Sequence, residues 1–363
     1  MKPKIRSSVG VVKLDDNIVE FFKGNTRESF MVKVNAEKIL KILKEMNGEN
    51  TLLDIKNKLN LDEKSIEQIE KLVDILKERS IIVDEEIRNI ELREKYGRVF
   101  SMLEDYCKTE DEVLSSWMNI RNSRIVIIGL GAVGSWIAAN LVQLGVRNFI
   151  FIDPDEVEIT NIHRQWGYGE GDVGKKKTEV LTNRLLEIED DLVIKSVNIK
   201  IEERVLERVI NESVNLIINC ADKPTVDQTS EWVGEYCMVK NIPHIIGGGY
   251  NLHLSLIGQT VIPNKTACVK CFEIQLKERN QLETSNMKKL ARETRKIGSF
   301  GPMCSLAASF AATDAFKVLS KIIDPTNINR RGEFNINTMD IKYHYVKKLD
   351  ECPWCGSNGK YKR

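Results

Sequence analysis

The chain has 363 residues, 42% of them hydrophobic, and its 54 Lys and Arg against 53 Asp and Glu leave a net charge of +1. That length accommodates one large domain and a small one, and near-neutrality removes any bulk attraction to nucleic acid or to an anionic membrane surface. No apolar signal core follows Met1-Lys2-Pro3-Lys4 and no apolar run reaches bilayer length, so a cytoplasmic protein with neither nucleic-acid nor membrane partners is expected, its eight cysteines reduced.

The first 86 residues read as a small α+β domain. Val9-Gly10-Val11-Val12-Lys13-Leu14 and Ile18-Val19-Glu20-Phe21-Phe22 make a strand pair turned at Asp15-Asp16-Asn17, and Phe30-Met31-Val32-Lys33-Val34 a third strand. Helical periodicity follows over 36–46, 52–59 and 65–77, the last with Ile66, Ile69, Leu72, Val73 and Leu76 on one face. Ile81-Ile82-Val83 returns as a strand. This order is that of a winged helix, yet the third helix mixes acids with bases and has no basic stripe, which argues against DNA. Order and size resemble the peptide-recognition element of the PqqD-like family. The resemblance implies an extended peptide added as a strand at the sheet edge; an oligomerisation module is the plainer alternative. Residues 87–122 are charged, helical over 87–104 and 111–120, and read as a connector to a third segment, 123–363.

That segment opens on Ile125-Val126-Ile127-Ile128, then Gly129-Leu130-Gly131-Ala132-Val133-Gly134, a helical stretch, and Phe149-Ile150-Phe151-Ile152-Asp153. Strand, glycine turn, helix, strand and acid make a βαβ unit that binds a nucleotide. Gly129 permits the tight turn, Gly131 the approach of phosphate, and Gly134 close packing of the helix, whose N-terminus offers unpaired N–H groups to an anion. Asp153, at a strand's carboxyl end, is placed for ribose hydroxyls. A nicotinamide dinucleotide is the default ligand of such a unit, but the residues that follow favour a triphosphate. Asp155, then Asn161-Ile162-His163-Arg164-Gln165, then Val173-Gly174-Lys175-Lys176-Lys177 bring two cations just past the acid, and fixed Arg and Lys stabilise charge that builds on phosphates.

D-x-D, N-x-x-R-Q and V-G-x-x-K after the glycine loop resemble the ThiF/MoeB superfamily of ubiquitin-activating-enzyme-like adenylyltransferases, over about residues 94–356. The resemblance implies a Rossmann-like doubly wound α/β sheet that binds ATP. It implies that Asp153 holds ribose, that Arg164 and Lys177 hold phosphates, and that Asp155, Asn161 and Gln165 frame the site. It also implies that Arg98, in Lys95-Tyr96-Gly97-Arg98, reaches the active site of the partner in a homodimer, although Lys95 and Val99 depart from the superfamily's flanking Arg and Gln.

Further on, Leu216-Ile217-Ile218-Asn219-Cys220-Ala221 reads as a buried parallel strand with Asp222 at its end. A hard carboxylate there suits Mg²⁺, and the superfamily places its metal-binding acid at this position. Asp222-Lys223-Pro224 departs from the D-N of sulfur-carrier activators and looks more like the D-x-P of the microcin C branch. His244-Ile245-Ile246-Gly247-Gly248-Gly249 reads as a strand ending in glycines that admit another backbone, here assigned to a substrate tail; His244 reads as packed rather than catalytic.

Cys268-Val269-Lys270-Cys271 and Cys352-Pro353-Trp354-Cys355 supply four thiolates for a closed, structural Zn²⁺ site. Neither pair is expected to open a helix as a redox motif does. The polar stretch over 272–300 is expected as a loop, covering the incoming tail in the superfamily. Cys304 opens a helix over 305–320 rich in small residues, expected at a dimer core. A helix N-terminus lowers a thiol pKa, but no base accompanies Cys304. Cys107, Cys220 and Cys237 read as buried apolar residues.

Together these features give an expected ATP-dependent adenylation of the C-terminal carboxylate of a ribosomally made peptide, with Mg²⁺ and Zn²⁺. Activation of a ubiquitin-like sulfur carrier, or non-catalytic presentation of a leader peptide, are the alternatives.

Overall fold

The computed structural model describes residues 1–24, 26–85, 90–251, 254–279, 298–299 and 301–362. The chain divides into two compact units, Met1–Met118 and Asn119–Arg363.

The first unit carries β1 (Pro3–Ile5), β2 (Val9–Asp15), β3 (Ile18–Lys23), β4 (Glu28–Lys33), α1 (Ala36–Glu45), α2 (Leu52–Lys58), α3 (Glu63–Glu78), β5 (Ile82–Asp84) and α4 (Ile90–Glu104). α5 (Glu110–Arg121) begins in it. β2-β3-β4 form an antiparallel sheet in which Val11, Phe21 and Phe30 lie abreast. Alternation sends Val19 and Phe21 inward against Ile42, Leu43, Ile69, Val73 and Leu76 of the helices. Local chemistry sets each helix start. Asn35, Thr51 and Asp62 accept N–H bonds as N-caps, and Thr51 with Asp54 closes a capping box. β1 pairs antiparallel with β5, a contact three-residue strands do not announce. The helical stretch expected as a connector is tied into this unit: Arg6 Nη2 donates to the Cys107 carbonyl at 3.2 Å, and Ser8 donates to Asp105.

The second unit carries β6 (Arg124–Ile128), α6 (Gly134–Gln143), β7 (Asn148–Ile152), α7 (Lys177–Leu186), β8 (Val193–Val197), α8 (Val205–Val209), β9 (Leu216–Asn219) and α9 (Val226–Lys240). β10 (His244–Ile246), β11 (Gly249–Asn251), β12 (Leu254–Ile257), β13 (Thr260–Val261), α10 (Val269–Arg279), α11 (Gly301–Ser320), β14 (Arg330–Asn335) and β15 (Asp340–Tyr345) complete it. The main sheet runs β13-β10-β9-β6-β7-β8, parallel except for β13. Its central strands are fully buried, as continuous apolar runs require. The chain winds outward from β6 through β7 to β8, then returns to β9 and β10 on the other side. The crevice between the carboxyl ends of β6 and β9 is therefore the switch point where such sheets bind ligands.

A second, antiparallel sheet, β11-β12-β14-β15, was not legible beforehand. It accounts for the glycines after β10. A Cβ on Gly247 would strike the Cys220 sulfur, and one on Gly248 the Leu256 carbonyl oxygen, so the backbone these glycines admit is the chain's own. α10 covers the first part of the stretch expected as a loop, and residues 280–297 and 300 lie outside the described residues. α11 packs on α6, and Ala307, Ala308, Ala311, Ala312 and Ala315 are buried within the single chain. The small-residue face expected at a dimer core is thus already covered.

Candidate active site

Loops from the carboxyl ends of β6, β7 and β9 meet at the switch point. Gly129 has φ +85°, and a Cβ there would stand 2.8 Å from the backbone of Cys220 and Ala221. A Cβ on Gly134 would overlap the Gly129 carbonyl oxygen, so the helix start is pressed against the turn. A Cβ on Gly131 would meet only Gln165 Nε2, at 3.9 Å, so the space above it has room for a phosphate. α6 has Val133 as its N-cap and no side-chain cap bond; the Ser135 N–H turns back to the Gly131 carbonyl at 3.1 Å, and the helix N-terminus presents its positive dipole end to that room.

The loop is held by its Leu130 peptide. Asp153 Oδ2 accepts the Leu130 N–H at 2.6 Å, and the Tyr168 hydroxyl donates to the Leu130 carbonyl at 2.9 Å. Asp153 Oδ1 accepts the Asp155 N–H at 2.8 Å. Asp153 is 4% exposed. Burial pushes its carboxyl above the usual range while the Lys177 charge draws it down. Asp153, expected on the ribose, is thus turned toward the loop it steadies, and Asp155 is the half-exposed carboxylate beside it.

Lys177 opens α7 with its side chain only 6% exposed and its Nζ 3.1 Å from Asp155 Oδ2. A buried ammonium is tolerated because that carboxylate and a ligand's phosphates can share it. Arg164 is half-buried. Its Nη1 donates to the Thr160 carbonyl, and its Nε is buried without a partner among the described residues. Gln165 is buried with its Oε1 equally unpartnered. Two orphaned polar atoms beside an open phosphate cradle fit a polar ligand such as a nucleotide. Asn161 turns inward, its Oδ1 accepting the Glu158 N–H at 3.0 Å, and so shapes the turn that presents Arg164.

Asp222 stands exposed in the turn between β9 and α9, where a carboxylate could bind a metal on a phosphate. Arg98 is exposed on α4 of the first unit, where it lines a cavity of about 540 Å³ with Lys4, Arg6 and Lys95.

The four cysteines expected to bind zinc come together, all buried, with Sγ atoms within 4.8 Å of one another. Sγ separations of 3.9 Å (Cys268–Cys271), 3.5 Å (Cys268–Cys352) and 3.4 Å (Cys271–Cys355) approach the ~3.8 Å that tetrahedral Zn–S bonds impose. The set fits Zn²⁺. Contrary to expectation, Cys268 and Cys271 do stand at the opening of a helix, α10; the company of Cys352 and Cys355 nevertheless makes a metal knuckle rather than a redox pair. Cys304 is buried, and burial pushes its thiol up, opposite to a nucleophile's need. His244 is buried, with its pKa pushed down to about 4 by desolvation, as a packed residue should be.

Sequence reasoning missed the residues that brace the site. Ser135 Oγ donates to the Gly131 carbonyl at 2.8 Å and accepts the Trp166 N–H at 3.0 Å. Trp136 Nε1 donates to the Arg164 carbonyl at 3.2 Å. The bonds to Trp166 and Arg164 and that of Tyr168 are long-range, and no local pattern signals them. Lys223 was visible only as a departure beside Asp222.

The sequence profile of the ThiF family matches residues 112–354. The sulfur carrier protein ThiS adenylyltransferase of Escherichia coli (strain K12) is 24% identical over 251 residues, which are 69% of this chain and 92% of that protein. Among solved structures, that of E. coli MccB with ATP superposes with a TM-score of 0.76 at 24% identity, covering 98% of this chain and 100% of that one. The microcin C7 biosynthetic enzyme MccB in complex with N-formylated MccA gives 0.75 at 23% identity, with the same coverages.

Proposed function

The chain belongs to the ThiF family and is an adenylyltransferase, and on that premise we propose that it adenylates the C-terminal carboxylate of a ribosomally made peptide at the expense of ATP. The observation that carries this is one of extent. The ThiF match begins at residue 112, so the first unit lies almost wholly outside it, whereas the structural likeness to MccB, solved with ATP and with a peptide, spans both units. An activator of a ubiquitin-like sulfur carrier is the second reading, favoured by the ThiS adenylyltransferase relative, but it gives the first unit no task.

A carboxylate is a poor electrophile. In the proposed reaction its oxygen attacks the α-phosphorus of ATP, the bond from that phosphorus to the bridging oxygen breaks, and pyrophosphate leaves with the electron pair. The product is a mixed anhydride. The residues here contribute position and charge rather than covalent chemistry. The Gly129–Gly134 cradle and the α6 N-terminus receive phosphate oxygens. Asp153 keeps the cradle in shape, and the half-exposed Asp155 carboxylate, already paired with Lys177, turns to ribose hydroxyls. Arg164, through its unpartnered Nε, and Lys177 face the phosphates, while Gln165 uses its free Oε1 at the cradle's edge. Asp222 would hold Mg²⁺, which when bound neutralises part of the triphosphate charge. Cys268, Cys271, Cys352 and Cys355 would hold Zn²⁺ as a structural staple, worth ~10 kcal/mol or more to folding. The protein would act as a cytoplasmic homodimer, with Arg98 completing the partner's site. The first unit, a winged-helix peptide-recognition domain in this reading, would take the peptide as an added strand along the outer edge of β2 or β4.

The test is isotope exchange between pyrophosphate and ATP with candidate peptides. Peptide-dependent exchange is expected, abolished in Asp222→Ala without loss of peptide binding. Exchange that depends on a ubiquitin-like protein instead, or that survives Asp222→Ala, overturns the reading.

A further inference from the structure

We infer that Lys223 is a third phosphate-contacting cation of this site, one that takes hold of the β- and γ-phosphates and follows them as pyrophosphate leaves; the inference rests on the adenylation reading above. The Asp155 carboxylate is shared by two ammonium groups. Lys177 Nζ lies 3.1 Å from Oδ2, and Lys223 Nζ lies 3.8 Å from the same oxygen. The two ammonium groups therefore share one half-exposed carboxylate at the mouth of the cradle, while Lys177 also faces the buried Asp153. The two lysines also differ in kind. The Lys177 side chain is 6% exposed and fixed at the start of α7, whereas that of Lys223 is 71% exposed. An exposed pair at that separation holds only weakly. Lys223 is kept near the site by Asp155 but is free to exchange partners.

Its attachment point is close to the phosphates. The backbone of Cys220 and Ala221 lies directly under Gly129, within 2.8 Å of where a Cβ would be, and Lys223 follows two residues later. A lysine is a compact charge on a flexible stem with three rotatable donors, suited to tracking oxygens that move. When Asp155 turns to ribose hydroxyls, its hold on Lys223 is relieved as the triphosphate arrives. As the bond to the α-phosphorus breaks, negative charge grows on the β-phosphate oxygen, and Lys223 can meet it without a further rearrangement of the buried residues. The position directly after the expected metal acid thus carries a charge that places Lys223 on the leaving group, not on the nucleoside.

The experiment compares wild type, Lys223→Met and Lys223→Arg by calorimetric titration with Mg-ATP, with pyrophosphate and with AMP. Because the side chain is exposed, neither substitution threatens folding. Lys223→Met is expected to bind ATP and pyrophosphate at least about tenfold more weakly, the loss of one charge-assisted contact. AMP affinity is expected to be unchanged, and Lys223→Arg to recover most of the loss. Equal ATP affinity in wild type and Lys223→Met, or an equal loss for AMP, overturns the inference while leaving adenylation standing. A wild-type protein that binds no ATP overturns both.

Discussion

Removing one oxygen atom from Tyr168 should loosen the grip of the whole cradle. Its hydroxyl, on a residue 6% exposed, donates to the Leu130 carbonyl at 2.9 Å, while the N–H of the same residue is held by Asp153 at 2.6 Å. Leu130 is therefore fixed from both sides, and Gly131, which faces the phosphate, follows it directly. Tyr168→Phe keeps the ring and its packing and deletes only the donor. A buried carbonyl left without its partner costs ~1–3 kcal/mol. That energy has two outlets. If the loop stays in place, the protein loses it as stability; if the Leu130 peptide rotates to find water, the loss falls on ATP affinity, up to roughly 100-fold. The two losses should sum to about the same ~1–3 kcal/mol, since they share one source. Titration with Mg-ATP and denaturant unfolding without nucleotide measure them separately. Burial and the neighbouring Asp153 hold the Tyr168 phenol well above its usual pKa, so it stays a donor at every working pH and adds no pH dependence of its own. A variant that binds ATP within twofold of wild type and unfolds at the same midpoint refutes the clamp.

Gly134→Ala should be harsher, because its Cβ would overlap the Gly129 carbonyl oxygen; nucleotide binding should vanish in calorimetry while far-ultraviolet dichroism stays near wild type. His244 has a folded pKa of about 4 against an ordinary 6.5, so the unfolded chain takes up its proton first and stability falls as pH drops from 6.5 toward 4. Between pH 7 and 5 that loss is ~2 kcal/mol. Urea midpoints should show it in wild type, and His244→Leu should have a smaller slope by that amount; an unchanged slope refutes the assignment. Chelation, or Cys352→Ser, should release one equivalent of zinc to a colorimetric dye and lower the thermal midpoint of the second unit by more than ~10 °C; unchanged melting with no metal released refutes the zinc site.

Why some of this was legible and some not follows from range. The main sheet showed itself because Ile125 to Ile128, Phe149 to Ile152 and Leu216 to Ile218 are unbroken apolar runs, the mark of strands buried on both faces. The helices of the first unit showed themselves through their apolar period, and the four cysteines through spacing. The β11-β12-β14-β15 sheet did not, since β11 and β12 are short and β14 reads Arg-Arg-Gly-Glu-Phe-Asn, a string with no clear alternation. Asp153 and Asp155 were both singled out, but which faces the loop and which the open crevice is decided by one backbone turn that spacing does not encode. Tyr168, Ser135 and Trp136 act across 28 to 38 residues in sequence, through single bonds to carbonyls and amides.

The thiol cluster has a consequence for the order of assembly. Its two halves lie 84 residues apart, with α11 and the β14–β15 hairpin between them. On a ribosome the first pair of sulfurs must wait, reduced and without a closed cage, until the second has been translated and released from the exit tunnel. The nucleotide crevice, complete in sequence well before that moment, would emerge ahead of the latch that fastens the rest of the unit around it.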